Sequence, residues 1–275
     1  MALRETDETA ATTGAREDLQ VVADGHHLAV RRLLPVGATR RGPWLVFLHE
    51  GLGSIAQWRE VPALLARRLA LPALVYDRWG FGGSDPLVLP RPDDFLEREA
   101  EIALPAVLAG SGVERPILIG HSDGATIALL YAAAFPERPL ALVSEAAHVF
   151  LEPVSRAGIR KAEAAWAAGG LRQGLERHHG AKAESVFRGW AETWQRPAFD
   201  GWTMLDRLPS IRCPVLALQG ADDQYGTPAQ LEAIAAGCAG PCETRLLPDC
   251  AHSPHHEARE ATLKAIEAFL RPLVV

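Results

Sequence analysis

Short apolar runs alternate along the chain with stretches of helical periodicity. Runs such as 44–48 and 215–218 are unbroken, as expected for strands covered on both faces. The predicted strands are 19–24, 27–33, 44–48, 73–76, 116–119, 140–144, 215–218 and 244–247. The predicted helices are 57–69, 95–109, 123–135, 228–236 and 257–270. This alternation predicts an α/β fold, with a mostly parallel eight-stranded sheet and helices on both faces.

The alternation stops after the sixth strand. Residues 149–209 are helix-like, rich in alanine and charge, and contain no strand candidate. We expect this segment to form a helical cap over the carboxyl ends of the strands, where open α/β sheets bind ligands. The α/β core would then comprise residues 18–148 and 210–275, and residues 1–17, which are polar and charged, would form a mobile tail.

Composition narrows the class of partner. The formal net charge is −6, which argues against nucleic acid and against an anionic membrane surface as partners. Apolar residues make up 48% of the chain, which is enough for a sizeable core. The first 17 residues resemble neither a signal peptide nor a transit peptide, and no apolar run approaches the length of a membrane span. We therefore expect a cytoplasmic protein that acts on a small molecule. The sequence leaves its oligomeric state open.

Cysteine and histidine spacings do not favour a metal site. Cys238 and Cys242 are too far apart for a C-x-x-C pair, and reduced thiols are expected in a cytosol. The histidine pairs near residues 178 and 255 lack the helical spacing and glutamate of a zinc protease. No metal and no cofactor are predicted.

The strongest chemical signal is a G-x-S-x-G run at residues 120–124. It lies directly between a predicted strand and a predicted helix, which is the setting of a nucleophile elbow. The sharp turn brings Gly120 and Gly124 so close together that side chains there would collide. Ser122 is the predicted nucleophile.

A serine nucleophile needs a base and an orienting acid, which follow it in this order: Ser, Asp or Glu, His. His252 lies in a loop after the last predicted strand and is the predicted base. The acid should follow the strand at 215–218, where Asp222 and Asp223 are adjacent. Spacing alone does not choose between them.

These segments together resemble the α/β-hydrolase superfamily, in its capped, esterase-like serine-hydrolase branch, over roughly residues 19–273. The matching segments are 48–54 (LHEGLGS), 76–84 (YDRWGFGGS), 220–223 (GADD) and 252–254 (HSP). The resemblance favours Asp223 as the acid. It also implies an oxyanion hole formed by the backbone N–H groups of Gly51 and Asp123, while 77–84 is interpreted as a structural turn. Glu50 replaces the glycine usual in relatives, and we expect its side chain to point away from the oxyanion.

The resemblance and the serine together imply a hydrolase that cleaves a small or medium carboxylic ester or thioester. Carbon–carbon bond hydrolysis, lactone hydrolysis and a ligand receptor that retains the triad stay open as alternatives. His148, Trp190 and Trp194 are the candidate substrate-binding residues, with hinge or packing roles as the alternative. Trp58, Trp79 and Trp166 are open to the same two interpretations.

Overall fold

A computed structural model describes residues 14–274, in which eight strands form one sheet. The strands are β1 (Ala15–Ala23), β2 (His26–Leu34), β3 (Pro43–Leu48), β4 (Ala73–Tyr76), β5 (Arg115–His121), β6 (Ala141–Glu145), β7 (Val215–Gly220) and β8 (Cys242–Leu247). Their order across the sheet is β1-β2-β4-β3-β5-β6-β7-β8. β2 is antiparallel to both of its neighbours, and the pairings from β4 to β8 are parallel. The predicted fold class is confirmed.

Helices cover both faces of this sheet. The α-helices of the described residues are α1 (Val61–Leu69), α2 (Phe95–Arg98), α3 (Leu104–Gly110), α4 (Asp123–Ala134), α5 (Pro153–Ala167), α6 (Gly170–His179), α7 (Ala183–Trp194), α8 (Ala229–Gly237), α9 (Pro254–Glu257) and α10 (Arg259–Val274). Apolar residues of α1 and α10 pack on one face. Those of α2, α3, α4 and α8 pack on the other. Each is too short or too polar to cross a bilayer.

Prolines explain two differences from the predicted helices. The helix expected over 57–69 is a 3₁₀ turn, Ile55–Trp58, followed by α1, whose first turn contains Pro62. The helix expected over 95–109 contains a π-helical turn, Glu99–Ala103, before α3, because Pro105 has no N–H to donate to the preceding turn.

The two ends of the chain also differ from prediction. β1 begins at Ala15, so the last residues assigned to a mobile tail over 1–17 belong to the sheet. Residues 1–13 of that predicted tail lie outside the described residues. At the other end, a break after α9 precedes α10, which extends beyond the predicted end at residue 270.

The 149–209 segment contains α5, α6 and α7. Residues near its two ends pair with each other where the chain leaves and re-enters the core, and we call this place the neck. Phe150 pairs antiparallel with Thr203 at this neck. Backbone hydrogen bonds join Leu151 N–H to Trp202 O (3.1 Å) and Met204 N–H to Val149 O (2.8 Å). The entry and exit of the segment are thus held side by side, while the helices between them reach over the sheet.

His179, the last residue of α6, attaches this segment to the core. Its Nε2–H donates to Leu52 O (3.0 Å), and its Nδ1 accepts the Gly82 N–H (3.0 Å). Both partners lie in loops that follow parallel strands, Leu52 after β3 and Gly82 after β4. The helices of the segment are therefore docked at the carboxyl edge of the sheet, where the loops after β5, β7 and β8 also meet.

Candidate active site

Ser122 lies on a strained turn between β5 and α4. Its φ of 52° and ψ of −119° are unusual for a residue with a side chain. A Cβ on Gly120 would come within 2.4 Å of the Gly124 oxygen, and a Cβ on Gly124 within 2.1 Å of the Leu48 oxygen. The two glycines are therefore required where the strand, the turn and the helix come closest together.

Ser122, His252 and Asp223 form a continuous chain of hydrogen bonds. Ser122 Oγ lies 2.9 Å from His252 Nε2, and His252 Nδ1 lies 2.9 Å from Asp223 Oδ1. With Nδ1–H donating to the carboxylate, Nε2 is left to accept the serine proton. Asp222 is exposed, whereas the Asp223 side chain is buried. The structure thus brings together the three residues that the sequence predicts as nucleophile, base and acid.

Gly220, at the end of β7, allows the acid loop to lie against the histidine loop. A Cβ on Gly220 would come within 2.1 Å of Cys250 O and within 2.0 Å of Ala251 O. The Asp222 N–H donates to the same Cys250 oxygen (2.9 Å). This contact explains why glycine precedes the acid in this loop, and it brings Asp223 within reach of a residue 29 positions later in the chain.

The environment of Asp223 favours its ionised form. Burial alone would raise the pKa of this carboxyl, but the hydrogen bond with His252 and the N–H of Tyr225 (2.8 Å) outweigh it, so its pKa lies below the ordinary value. Gln219 Nε2 lies 3.3 Å from the second carboxylate oxygen. An ionised, fixed carboxylate can orient His252 and stabilise its protonated form.

Gly51 and Asp123, the predicted oxyanion donors, lie close to each other and border the same cavity as Ser122. Gly51 is buried in the loop after β3, where a Cβ would come within 2.3 Å of the Trp190 ring. Asp123 is the first residue of α4, and the first N–H groups of a helix have no partner within the helix. Both backbone positions can therefore serve an anion beside Ser122.

The side chain of Asp123 is also buried. Its Oδ1 accepts the Trp194 Nε1–H (3.2 Å), and its Oδ2 lies 3.7 Å from Arg78 Nη2. Burial raises the pKa of this carboxyl, and the positive charges of Arg78 and Arg91 oppose that rise only in part. α7 is thus joined to the residue that follows the nucleophile.

Glu50 borders the same cavity as Ser122, and the expectation that its carboxylate points away from the oxyanion stays a prediction. Its Oε2 lies 3.8 Å from His121 Nδ1, and His121 Nε2–H donates to the backbone oxygen of His252 (2.7 Å). Burial alone would lower the pKa of His121, but the Glu50 carboxylate more than offsets it, so the pKa is raised. A protonated His121 beside Glu50 would balance the charge of this carboxylate.

A cavity of about 170 Å³ lies directly above Ser122; we refer to it as the Ser122 cavity. The three candidate substrate-binding residues all line it: His148, Trp190 and Trp194. Their neighbours in its wall include Leu151, Ser155, Ile159, Tyr225 and His252. The structure therefore places all three beside the nucleophile. His148 Nδ1 is buried without a protein hydrogen-bond partner among the described residues.

The other tryptophans considered from the sequence lie elsewhere. Trp58 packs on Phe47, with ring centroids 5.2 Å apart. Trp79 stacks on His26 (4.0 Å). Trp166 stacks on Phe187 (4.4 Å). None of the three is among the residues that line the Ser122 cavity, and each packs on another ring.

Sequence reasoning missed two residues beside His252. The Tyr225 ring lies 4.7 Å from the His252 ring and lines the Ser122 cavity. His121 binds the His252 backbone. His121 lies within the G-x-S-x-G run and Tyr225 two residues after Asp223, so adjacency to the motifs was the available signal. Within residues 14–274, no cluster of three or more histidine, cysteine or acidic side chains is arranged to hold a metal ion.

The chain is similar in sequence to known proteins. A model of the Alpha/beta hydrolase family matches residues 45–265. The chain is 31% identical over 184 residues to 2-succinyl-6-hydroxy-2,4-cyclohexadiene-1-carboxylate synthase of Enterobacter sp. (strain 638), a match that covers 64% of each chain. The matched region is thus less than two thirds of that relative's length. Serine hydrolase BPHL of Homo sapiens is 26% identical, over 97% of this chain and 87% of its own.

Solved structures share the fold at lower identity. Proline iminopeptidase of Mycobacterium smegmatis superposes with a TM-score of 0.69 and 21% identity, covering 94% of this chain and 98% of its own. The enol-lactonase of Burkholderia xenovorans LB400 gives a TM-score of 0.70 and 20% identity, covering 92% and 99%. At these identities the likeness concerns the fold alone.

Proposed function

The chain belongs to the alpha/beta hydrolase family, and we propose that it is a serine hydrolase that cleaves a small or medium carboxylic ester or thioester. The observation that carries the proposal is the chain of hydrogen bonds from Ser122 Oγ through His252 to Asp223, each link 2.9 Å long, beneath the Ser122 cavity. This arrangement is recognised by geometry and by the role of each group rather than by position in the chain.

In the proposed reaction, Ser122 Oγ attacks the substrate carbonyl carbon while His252 Nε2 takes the serine proton. His252 then passes this proton to the leaving alcohol or thiol as the bond between carbonyl carbon and leaving group breaks. Water, deprotonated by the same histidine, attacks the acyl-enzyme and releases the acid and free Ser122. Asp223 keeps the imidazole in the required tautomer and stabilises its protonated form.

The proposed oxyanion hole consists of the backbone N–H groups of Gly51 and Asp123. A carbonyl attacked by serine develops negative charge on its oxygen, and a fixed donor at that oxygen is worth about 3 kcal/mol of transition-state stabilisation. The Asp123 N–H begins α4, and the dipole at a helix N-terminus favours an anion. Gly51 and Asp123 both border the Ser122 cavity, which supports this assignment.

The size and lining of the Ser122 cavity support a compact substrate. Its volume of about 170 Å³ is small beside the roughly 300–1,000 Å³ typical of sites for drug-sized ligands. Trp190, Trp194 and Ile159 offer apolar surface, and the unpartnered Nδ1 of His148 can form a hydrogen bond with a polar group of the substrate. Short acyl or alcohol groups fit such a space better than long chains do.

The test combines active-site labelling with turnover. A fluorophosphonate probe should label Ser122, and Ser122→Ala should lower kcat for p-nitrophenyl acetate or butyrate by at least about 10³-fold. Ser210→Ala, at an exposed serine, is the matched control and should retain wild-type turnover. Full turnover by Ser122→Ala, or a label on another serine, would refute the assignment.

The same experiment distinguishes the alternative functions. A panel of matched esters, thioesters, lactones and ketones with cleavable carbon–carbon bonds ranks the reactions that a serine nucleophile can perform. Preference for a lactone or a ketone over every ester and thioester would replace the proposed substrate class. Absence of turnover and of labelling across the panel would favour a ligand receptor.

A further inference from the structure

Arg78 is a fully buried arginine in the turn after β4, within the 77–84 segment interpreted from the sequence as a structural turn. Its side chain is 1% exposed. The Nη2–H donates to the backbone oxygen of Glu50 (2.9 Å) and lies 3.7 Å from Asp123 Oδ2. A single guanidinium therefore contacts the residue before Gly51 and the side chain of Asp123. These are the positions from which the two proposed oxyanion donors come.

The contact with Glu50 bears directly on the Gly51 N–H. The Glu50 C=O and the Gly51 N–H belong to the same peptide unit, which is planar and trans, so they point in opposite directions. A donor that holds the Glu50 oxygen on the core side therefore also sets the direction of the Gly51 N–H. Accepting a hydrogen bond from a cation also polarises the peptide, which makes its N–H a stronger donor.

His49 completes this support. Its Nδ1–H donates to the same Glu50 oxygen (2.8 Å), and its Nε2 accepts the backbone N–H of Arg78 (3.1 Å). Burial lowers the pKa of His49 well below its usual value, with the nearby Arg78 charge adding to the effect, so the neutral tautomer that these two bonds need is favoured. The side chains of His49 and Arg78 thus both donate hydrogen bonds to the oxygen of the Glu50–Gly51 peptide.

The guanidinium is itself held in place. Its carbon lies 4.7 Å from the centroid of the Phe81 ring, a residue of the same turn. The Asp123 carboxylate lies 3.7 Å from Arg78 Nη2. The contact of the same nitrogen with the Glu50 oxygen is shorter, at 2.9 Å, and is therefore the stronger of the two. In a buried environment a fixed positive charge acts on nearby groups with little screening.

We propose that Arg78 is a positioning residue of the oxyanion hole: it fixes and polarises the Glu50–Gly51 peptide so that the Gly51 N–H points at the developing oxyanion. The inference rests on the proposed serine-hydrolase function. It assigns a role in the reaction to a turn that touches neither Ser122 nor the substrate. The effect should appear in the transition state, because the oxyanion exists only there and in the tetrahedral intermediates.

The experiment compares Arg78→Met and Arg78→Lys with Arg91→Met. Arg91 is the matched control, because it is also buried and also lies over Phe81 (5.1 Å), whereas the hydrogen bond to the Glu50 oxygen comes from Arg78. Arg78→Met should lower kcat roughly 10- to 100-fold with little change in KM, less than the loss of a whole donor. Arg78→Lys should recover part of kcat, and Arg91→Met should change it less than about 3-fold.

A second measurement separates positioning from a general structural defect. A trifluoromethyl ketone forms a tetrahedral adduct on Ser122 and places an oxyanion in the hole, whereas the product acid forms no adduct. In Arg78→Met the inhibition constant of the ketone should rise in parallel with the loss in kcat, and that of the acid should stay within about 3-fold of wild type. Equal weakening of both, or a kcat loss no larger than in Arg91→Met, would overturn the inference.

The set of variants includes a control for loss of folding in Arg78→Met. Arg78→Met leaves the Asp123 carboxylate buried without its cation, so Arg78→Met/Asp123→Asn is made alongside it and the thermal midpoint of each variant is measured. If the single variant does not fold, the double variant and Arg78→Lys carry the comparison. Ser122→Ala, assayed in parallel, keeps the two proposals distinct: wild-type turnover there refutes the function. An inactive Ser122→Ala beside an unaffected Arg78→Met refutes only the role of Arg78.

Discussion

Two adjacent aspartates follow β7, and only one of their side chains is buried. Asp223 is buried and hydrogen-bonded to His252, while Asp222 is exposed and contributes its backbone N–H to the histidine loop. The lowered pKa of Asp223 keeps it ionised at neutral pH. Two neighbouring residues of the same type thus differ in charge environment and in partner.

Asp223→Asn should therefore lower kcat by about 10²- to 10⁴-fold, because an amide supports the wrong tautomer of His252 and cannot stabilise the imidazolium. Asp222→Asn, one residue away and exposed, should leave kcat within about 3-fold of wild type. Steady-state rates of both purified variants on one ester give the comparison. A larger loss at position 222 would contradict the assignment of the acid.

α7 contributes the tryptophans through which the 149–209 segment contacts the nucleophile region. Trp190 packs against Gly51, and Trp194 donates to the Asp123 carboxylate. Both tryptophans also line the Ser122 cavity. One helix thus lines the Ser122 cavity and also contacts Gly51 and Asp123, and we propose that the 149–209 segment acts as the cap that sets substrate choice.

Trp190→Ala should shift the ranking of substrates toward larger acyl or alcohol groups, because it removes a wall of a small cavity. We expect the ratio of kcat/KM for a hexanoate ester to that for an acetate ester to rise roughly 10-fold. The ratio is the appropriate readout, since any disturbance of Gly51 affects both esters alike.

Trp166→Ala is the matched control for this element. Trp166 lies in α5 of the same segment but stacks on Phe187 away from the cavity, so its loss should lower the thermal midpoint without changing the ester ratio. An unchanged ratio in folded Trp190→Ala would place substrate choice in the loops of the sheet domain.

Across the whole molecule, several histidines are buried in ways that favour their neutral forms. Burial, followed by the nearby His252, lowers the pKa of His148 from 6.5 to about 4. Burial similarly lowers the pKa values of His49 and His179. Between pH 6.5 and about 4 the unfolded chain binds protons at such groups that the folded protein does not, so stability should fall as the pH falls.

His148→Gln should remove one of these contributions. The free energy of unfolding of the wild type should decrease between pH 7 and pH 5 by about 2 kcal/mol more than that of the variant. Urea unfolding at the two pH values measures the difference, and other titrating groups contribute equally to both proteins. His178→Gln, at an exposed histidine, should follow the wild type. A parallel decrease in His148→Gln and wild type would contradict this account.

Local patterns were enough to predict most of the architecture. The apolar runs coincide with β3 to β7 within a few residues, because strands buried in a parallel sheet need continuous apolar sequence. The elbow around Ser122 was equally visible, since its glycines are required by contacts within five residues and with the adjacent strand. The interruption by Pro105 and the start of β1 at Ala15 were missed, because helix periodicity and exposed polar residues mask such boundaries.

The sequence by itself determined the α/β fold, the strained position of Ser122 and a histidine loop after the last strand, since each depends on neighbours along the chain. Only the tertiary structure decided which aspartate binds His252, which tryptophans reach the Ser122 cavity and where the guanidinium of Arg78 lies. These contacts join residues that lie 28 to 71 positions apart in the chain. Their partners depend on how loops pack at the carboxyl edge of the sheet, which no local periodicity records.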